Sequence, residues 1–488
     1  MSEKDAIHIE GIISAIAESQ GRGGRIKYTM VSSRPPLSIS VETEERMQLY
    51  SVISLSYSPS SREASSNSLE KIGSPEKGRA EFDSAIKSLV NHLSIEKNLE
   101  AMKTERSRPE LDRITDNMLS KLGHSGEEFV EAYLAGAPIA IRFHNDGDGS
   151  TGAIGLYNAL QKIGKEYVAG DRPVRWTMHK GVTYDMDAFY NDSMYFSNYS
   201  GAFMPHVCII DFGTTIDSNP AIKASSGKCS ITWLDHHPIP EEFLGKELEN
   251  YINPINYSGS ADYTGGYLAC MFAEAISGVR SNNIREASLI SDVSKYADLN
   301  NKEALKYATV LDFLTGLKDY TRYLDGPITP KYLAKMLADS EKLNSIYSYA
   351  NEIMADSVEM GLKYGKEYMS EEGVNINVVD FSKIADKYSG YVLPGRYSSR
   401  LQSHIEKSGG KGSITIVTFN NYISIRISKH IAESIDMLNI IERLKDESEF
   451  VESGGGHKEA CSIKIYSEGK KEVLNLLLKE LHARGIGK

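Results

Sequence analysis

Cysteine is scarce in this 488-residue chain, and the 4 present (Cys208, Cys229, Cys270 and Cys461) never form a CxxC pair. That spacing indicates neither a disulfide framework nor a zinc knuckle, and it suits small buried hydrophobes in a reducing compartment. Long apolar runs are missing as well. Nothing approaches the roughly 18 uninterrupted apolar residues of a membrane span, and residues 1–5 begin no signal-like apolar segment. The expectation is a soluble, cytoplasmic protein with no membrane association. Positive charge is not in excess: Lys and Arg number 55 against 66 Asp and Glu, a formal net charge of −11. This argues against capture of nucleic acid by bulk charge, although a locally basic groove is compatible with it.

What is present points to several cores. An apolar content of 41% over this length supplies two or three domains of ordinary size. Residues 1–130 carry no recognisable chemistry. The Ser-rich run 51–79 predicts a flexible loop, and Phe82, Ile86, Leu89, Val90 and Leu93 recur at helical intervals, so the N-terminal region is expected to be largely helical. From Ala137 the pattern changes. The run 137–143 is short and apolar, ends in a glycine-rich polar turn, and is followed by Ala153, Ile154, Leu156, Tyr157 and Leu160 at helical spacing. Two further apolar runs, 207–210 and 231–234, end on Asp211 and Asp235. Such runs suit strands buried on both faces of a parallel sheet, whose carboxyl-end loops converge on one crevice.

The fold class expected is therefore α/β. A domain with a parallel sheet flanked by helices spans 131–325, connecting helices 326–372, and a smaller C-terminal α/β domain 373–488. The amphipathic stretch 329–368 belongs to the connection.

Clustered carboxylates and imidazoles are what a site for hard or borderline divalent ions needs. His144, Asp146 and Asp148 lie in one loop, where period-two alternation can aim all three inward. A solvated Asp-Gly turn would read much the same on its own. The triplet Asp235-His236-His237 directly follows an apolar strand, and three consecutive titratable groups there cost stability unless paired, coordinated or exposed. With Asp211 at a third strand end, the three segments together make a metal site the better explanation.

This constellation resembles the DHH phosphoesterase superfamily, in detail its RecJ-like single-strand exonuclease branch. The name-giving triplet corresponds to Asp235-His236-His237, the first motif to His144, Asp146, Asp148 and Gly149, and the second to the strand ending at Asp211. The fourth motif matches the run 287–293 with Asp292, followed by Asp298 and Asn300; Asp312, after another apolar run, is the rival. Residues 453–460 resemble the GGGHxxA signature of the associated C-terminal substrate-binding domain, which singles out Gly454, Gly455, Gly456 and His457 in a glycine-rich turn. Arg426 stands on a strand where the family often carries a substrate-contacting Arg; an ordinary exposed strand Arg is the alternative.

The resemblance implies two metal ions bridged by Asp211, with His144 and Asp146 on one and Asp148, His236 and Asp292 on the other. It implies His237 as a donor to the scissile phosphate and Asp235 as the carboxylate that orients the histidines. Mixed His and Asp ligation favours manganese, Mn2+, over magnesium, Mg2+. The implied substrate is single-stranded DNA or RNA. Alternatives within the resemblance are a scaffold that binds the GINS complex and the replicative helicase, and a phosphodiesterase for oligoribonucleotides or cyclic dinucleotides.

Overall fold

Strands, not helices, open the chain: β1 (Ile7–Glu18), β2 (Ile26–Ser33), β3 (Pro36–Thr43), β4 (Val52–Ser58) and β5 (Glu63–Gly73). This corrects the expectation for the N-terminal region and for the Ser-rich loop within it. In β4, Ile53, Leu55 and Tyr57 are buried and alternate with Ser54, Ser56 and Ser58, the period of two that defines a strand. Serine satisfies the polar side of this sheet, as when Ser56 N donates to Ser68 Oγ at 2.7 Å. Read for composition the segment resembles a loop; read for period it is a strand. The helical spacing from Phe82 onward does yield helices, α1 (Pro75–Asn91), α2 (Ile95–Thr104) and α3 (Pro109–Ala135).

The computed structural model describes residues 6–18, 25–104, 108–316, 327–369, 374–385, 394–407 and 412–484. Two compact units emerge, Met1–Leu311 with Asp325–Leu343, and Asp312–Leu324 with Asn344–Lys488. Among the described residues no helix is long and apolar enough to cross a membrane.

The first unit continues through β6 (Ile139–His144), α4 (Gly147–Tyr167), β7 (Val168–Ala169), β8 (Val174–His179), α5 (Met186–Phe196), β9 (Tyr199–Gly201), β10 (His206–Ile210), α6 (Asn219–Ser225), β11 (Ser230–Leu234) and β12 (Asn250–Ile252). Helices α7 (Gly265–Ser277), α8 (Asn282–Ser291), α9 (Lys302–Gly316) and α10 (Pro330–Ala338) follow. The N-terminal sheet is not a separable module: β7 pairs with β3 and β9 with β1.

The second sheet runs β12-β11-β10-β6-β8 with every pairing parallel. Alternate residues serve opposite faces. Ile139, Ile141, Phe143, Cys208 and Ile210 join the core built with α3, α4 and α7. Ala140, Val207, Ile209, Ile231 and Trp233 join a separate core with α5 and α6. Burial on both faces is why these strands read as continuous apolar runs. The exception is Arg142, buried on the second face and held bidentately by Asp192 at 2.7 and 2.9 Å.

In the second unit, the stretch expected as a connection resolves into α10, which packs in the first unit, and α11 (Ser340–Tyr364). The C-terminal sheet begins earlier than expected, at β13 (Lys366–Met369), which pairs antiparallel with β14 (Asn375–Asp380). After α12 (Ser382–Ala385) and α13 (Pro394–Lys407) come β15 (Ser413–Thr418), β16 (Tyr422–Ile427), α14 (Lys429–Ala432), α15 (Met437–Glu447), β17 (Val451–His457), β18 (Ala460–Ile465) and α16 (Lys470–Ala483).

Candidate metal centre

Strand order fixes where the site lies. The chain leaves β6 toward β8 on one side and returns to β10 on the other, so the order of strand addition reverses between the parallel neighbours β6 and β10. Ligands of open parallel sheets bind outside the carboxyl ends at such a reversal. His144 ends β6, Asp211 follows β10 and Asp235 follows β11. Register aligns them: Phe143, Ile210 and Leu234 are neighbours across the three strands, and Asp211 N donates to Leu234 O at 2.8 Å. Asp211 adopts φ of +66°, a left-handed conformation that costs a non-glycine residue energy and turns its carboxylate inward.

Two groups of donors meet at Asp211. His144, Asp146 and Asp211 offer ligand atoms within 4.8 Å of one another. On the other side, His236 Nε2 lies 3.2 Å from Asp211 Oδ1, 4.0 Å from Asp148 Oδ2 and 3.9 Å from Asp292 Oδ2. His236 Nδ1 is 2.5 Å from the Ala261 carbonyl oxygen, which requires the proton there and leaves Nε2 as a lone pair. Asp292 thus reaches the centre, while its rival Asp312 is ion-paired with Arg396. Asp298 and Asn300 form a local turn, with Asn300 N donating to Asp298 Oδ1 at 3.0 Å, and lie exposed.

Asp235 is close but occupied. Oδ2 accepts from Thr214 N at 3.1 Å and Thr214 Oγ1 at 2.6 Å, and Oδ1 accepts from His236 N at 2.8 Å. His237 Nδ1 lies 2.7 Å from the same Oδ1, so the ring presents Nε2 outward with 47% of the side chain exposed. The triplet divides its contacts: the His236 ring faces the carboxylates and is held by the Ala261 carbonyl, the His237 ring faces solvent and is held by Asp235, and Asp235 reaches His236 through its backbone N.

Contacts invisible in the motifs complete the centre. Asp146 caps α4, accepting from Gly149 N at 2.9 Å. Asp148 accepts from Ser288 Oγ and from Gly266 N, the latter at 3.2 Å, in the first turn of α7. A Cβ on Gly265 would meet Asp211 Oδ1 at 2.6 Å, and one on Gly266 would meet Asp148 O at 2.1 Å. Two glycines at a capped helix start, after Thr264, are the sequence signal that could have found this wall.

Electrostatics favours cations here. Burial first, then the neighbouring Asp148, Asp146, Asp235 and Asp292 charges, hold the Asp211 carboxyl well above its usual range. Asp292, at the rim with 45% of its side chain exposed, is pushed up to about 6 by removal from bulk water and the Asp148 and Asp146 charges, against the pull of His236. Burial disfavours charge on Asp146 and Asp235 as well, yet His144 beside the first and His237 beside the second hold both below the usual range. The imidazoles of His144, His236 and His237 are raised by their carboxylates in spite of burial. Crowded oxygens and oriented nitrogens of this kind fit divalent ions, which replace the shared protons.

In the second unit, the glycine signature is a strand, not the expected turn: Gly454, Gly455 and Gly456 lie in β17 beside β18, and the turn is at Lys458 and Glu459. Gly454 is required by packing, since a Cβ would meet Ile441 Cγ2 at 2.5 Å, whereas one on Gly455 would meet nothing within 4 Å. The side chain of His457 lies outside the described residues. Arg426 is not an exposed strand residue. It donates to Ser399 Oγ at 2.9 Å and Gly395 O at 3.2 Å, holding the start of α13.

Residues 138–299 match the DHH family, N-terminal domain, and the chain carries a domain of that family. It is 26% identical over 446 residues to an uncharacterized protein of Methanocaldococcus jannaschii, a match covering 79% of this chain and 58% of that protein's length. The DHH domain of a protein assigned to a family of ribosomal proteins superposes with a TM-score of 0.64 at 21% identity, over 85% of this chain and 100% of that one, which shows a shared fold. An exonuclease RecJ bound to manganese aligns with a TM-score of 0.47 at 13% identity, over 74% of this chain and 94% of that one.

Proposed function

We propose that the chain is a two-metal, manganese-dependent phosphodiesterase that hydrolyses single-stranded nucleic acid as a RecJ-like exonuclease. The observation that carries this is the Asp211 carboxylate between two donor groups, His144 with Asp146 and His236 with Asp148 and Asp292. Two bound divalent ions would supply activation of water and charge neutralisation for an in-line displacement at phosphorus. The mixed oxygen and nitrogen donors favour manganese over magnesium.

The chain's own groups set the geometry. His237 Nε2, facing outward, donates to a phosphate oxygen, and its proton is held by Asp235 across the ring. Asp235 cannot turn away, because Thr214 fixes its other oxygen. In the second unit, the open space at Gly455 supports a role for Gly454 to His457 in holding the substrate backbone. Arg426 shapes that region through α13.

Incubating 5′- and 3′-labelled single strands of DNA and RNA with protein and Mn2+ tests the reading, and the order in which labels are released gives the polarity. Survival of long strands while dinucleotides are cut would replace it with a short-substrate phosphodiesterase. Absence of any cleavage, with GINS co-purifying, would replace it with the scaffold.

A further inference from the structure

The segments that leave the carboxyl ends of the five parallel strands are 145–146 after β6, 180–185 after β8, 211–215 after β10, 235–243 after β11 and 253–264 after β12. Lys180 is the sole Lys or Arg in all of them. It is exposed, and no carboxylate among the described residues pairs with it. Lys295, beyond Asp292, is by contrast engaged by Glu110 at 3.1 Å and Asp262 at 3.8 Å.

Position brings Lys180 to the centre's edge. It follows His179, which is the register partner of His144 across β6 and β8. His179 stacks on Phe212, the residue after Asp211, with ring centroids 4.3 Å apart and planes 12° from parallel. Gly213 N donates to Val182 O at 3.2 Å, and Tyr184 N donates to Ser218 Oγ at 3.0 Å. The turn after β8 is therefore tied along its length to the turn that begins with Asp211, and the two form one wall.

Charge gives that wall a task. Two divalent ions, held by these residues, would balance the charges of Asp146, Asp148, Asp211 and Asp292, so each phosphate of a bound strand would still bring a negative charge. His237 answers one. We propose that Lys180 is a substrate-binding residue that engages a non-bridging oxygen of the phosphate next to the scissile one, and that the turn after β8 sets the path of the strand into the centre. This rests on the phosphodiesterase reading above. The substrate it fits is a strand with at least one phosphate beyond the one cut, which a dinucleotide lacks.

The test pairs binding with kinetics. Affinity for a fluorescein-labelled oligothymidylate is measured by anisotropy across about 50 to 200 mM salt, with wild type, Lys180→Ala and Lys180→Arg. Lys180→Ala is expected to weaken binding roughly tenfold, to lower the slope of log affinity against log salt by about 0.7, and to raise KM on the same strand with kcat kept. Lys180→Arg restores all three. A dinucleotide substrate should be indifferent to the change. An unchanged affinity and slope in Lys180→Ala overturns the proposal, as does a loss that Arg does not rescue. If wild type binds the strand but cuts no phosphodiester, the functional reading fails while the binding comparison still decides the role of Lys180.

Discussion

Asp211 Oδ1 lies 3.2 Å from His236 Nε2, and its other oxygen lies 3.9 Å from His144 Nδ1. One buried carboxylate in a left-handed backbone conformation thus serves both halves of the centre. Asn tolerates that conformation better than most residues, so Asp211→Asn removes charge while keeping shape. Activity should fall by at least about two orders of magnitude, since losing even an outer partner of a metal ligand costs up to about 100-fold. The metal-free protein should become more stable, with Tm rising by on the order of 2 °C as the crowding of carboxylates is relieved. A calorimetric Tm unchanged or lowered without metal would show that the crowding is not felt.

Proton release should accompany metal binding, with a definite sign. Asp292 is raised from 3.8 to about 6, Asp211 is raised too, and the three imidazoles are raised above 6.5. In each case the metal-free fold binds protons more tightly than the unfolded chain. The resulting stability is fully present below the unfolded value and is lost as pH rises through the folded one. Asp146 and Asp235 act oppositely, but only on acidification below 3.8. His179 and His206, lowered by burial, act oppositely up to 6.5, so it is above about pH 6.5 that the Tm of EDTA-treated protein should fall, while the Tm gain on adding Mn2+ should grow between about pH 5 and 8. Thermal scans at several pH values check this; a metal-induced gain that shrinks with rising pH would refute it.

Thr214 carries no motif but holds Asp235 through both its amide and its hydroxyl, at 3.1 and 2.6 Å. Thr214→Val keeps the shape and removes the hydroxyl. We expect kcat to drop about 10- to 100-fold, the range for outer partners of metal-site histidines, with the number of bound ions unchanged. Loss of an ion instead would place Asp235 among the ligands.

Gly266 leaves no room for a methyl group, because the clash at 2.1 Å is with backbone, Asp148 O. Gly266→Ala should lower stability by about 1–3 kcal/mol through displaced backbone and weaken Mn2+ affinity by moving Asp148. Denaturant melts with and without metal read the two effects separately. Equal stability with equal affinity would mean that α7 does not position Asp148.

His144, Asp211 and Asp235 are legible as candidate site residues because each closes an apolar strand buried on both faces, a pattern that Val207, Ile209, Ile231 and Trp233 make plain. Supporting contacts were not. Gly266 N and the Ala261 carbonyl act through backbone atoms, which no residue type advertises. The N-terminal sheet was missed because β4 and β5 carry serine where strands more often carry threonine or valine, and because β4 joins the sheet through β1, with Ile7 opposite Tyr57, far away in sequence. The glycines of β17 were read as a turn, although Gly454 lies in a strand and its missing side chain admits Ile441.

Titrating metal-stripped protein with Mn2+, while counting bound ions and cleavage of a labelled single strand together, tests the central claim most directly. Cleavage should follow occupancy of the second ion, and Asp148→Ala should bind no more than one ion and cut nothing. Full cleavage with a single ion bound, or cleavage untouched by Asp148→Ala, would contradict a two-ion centre built around Asp211.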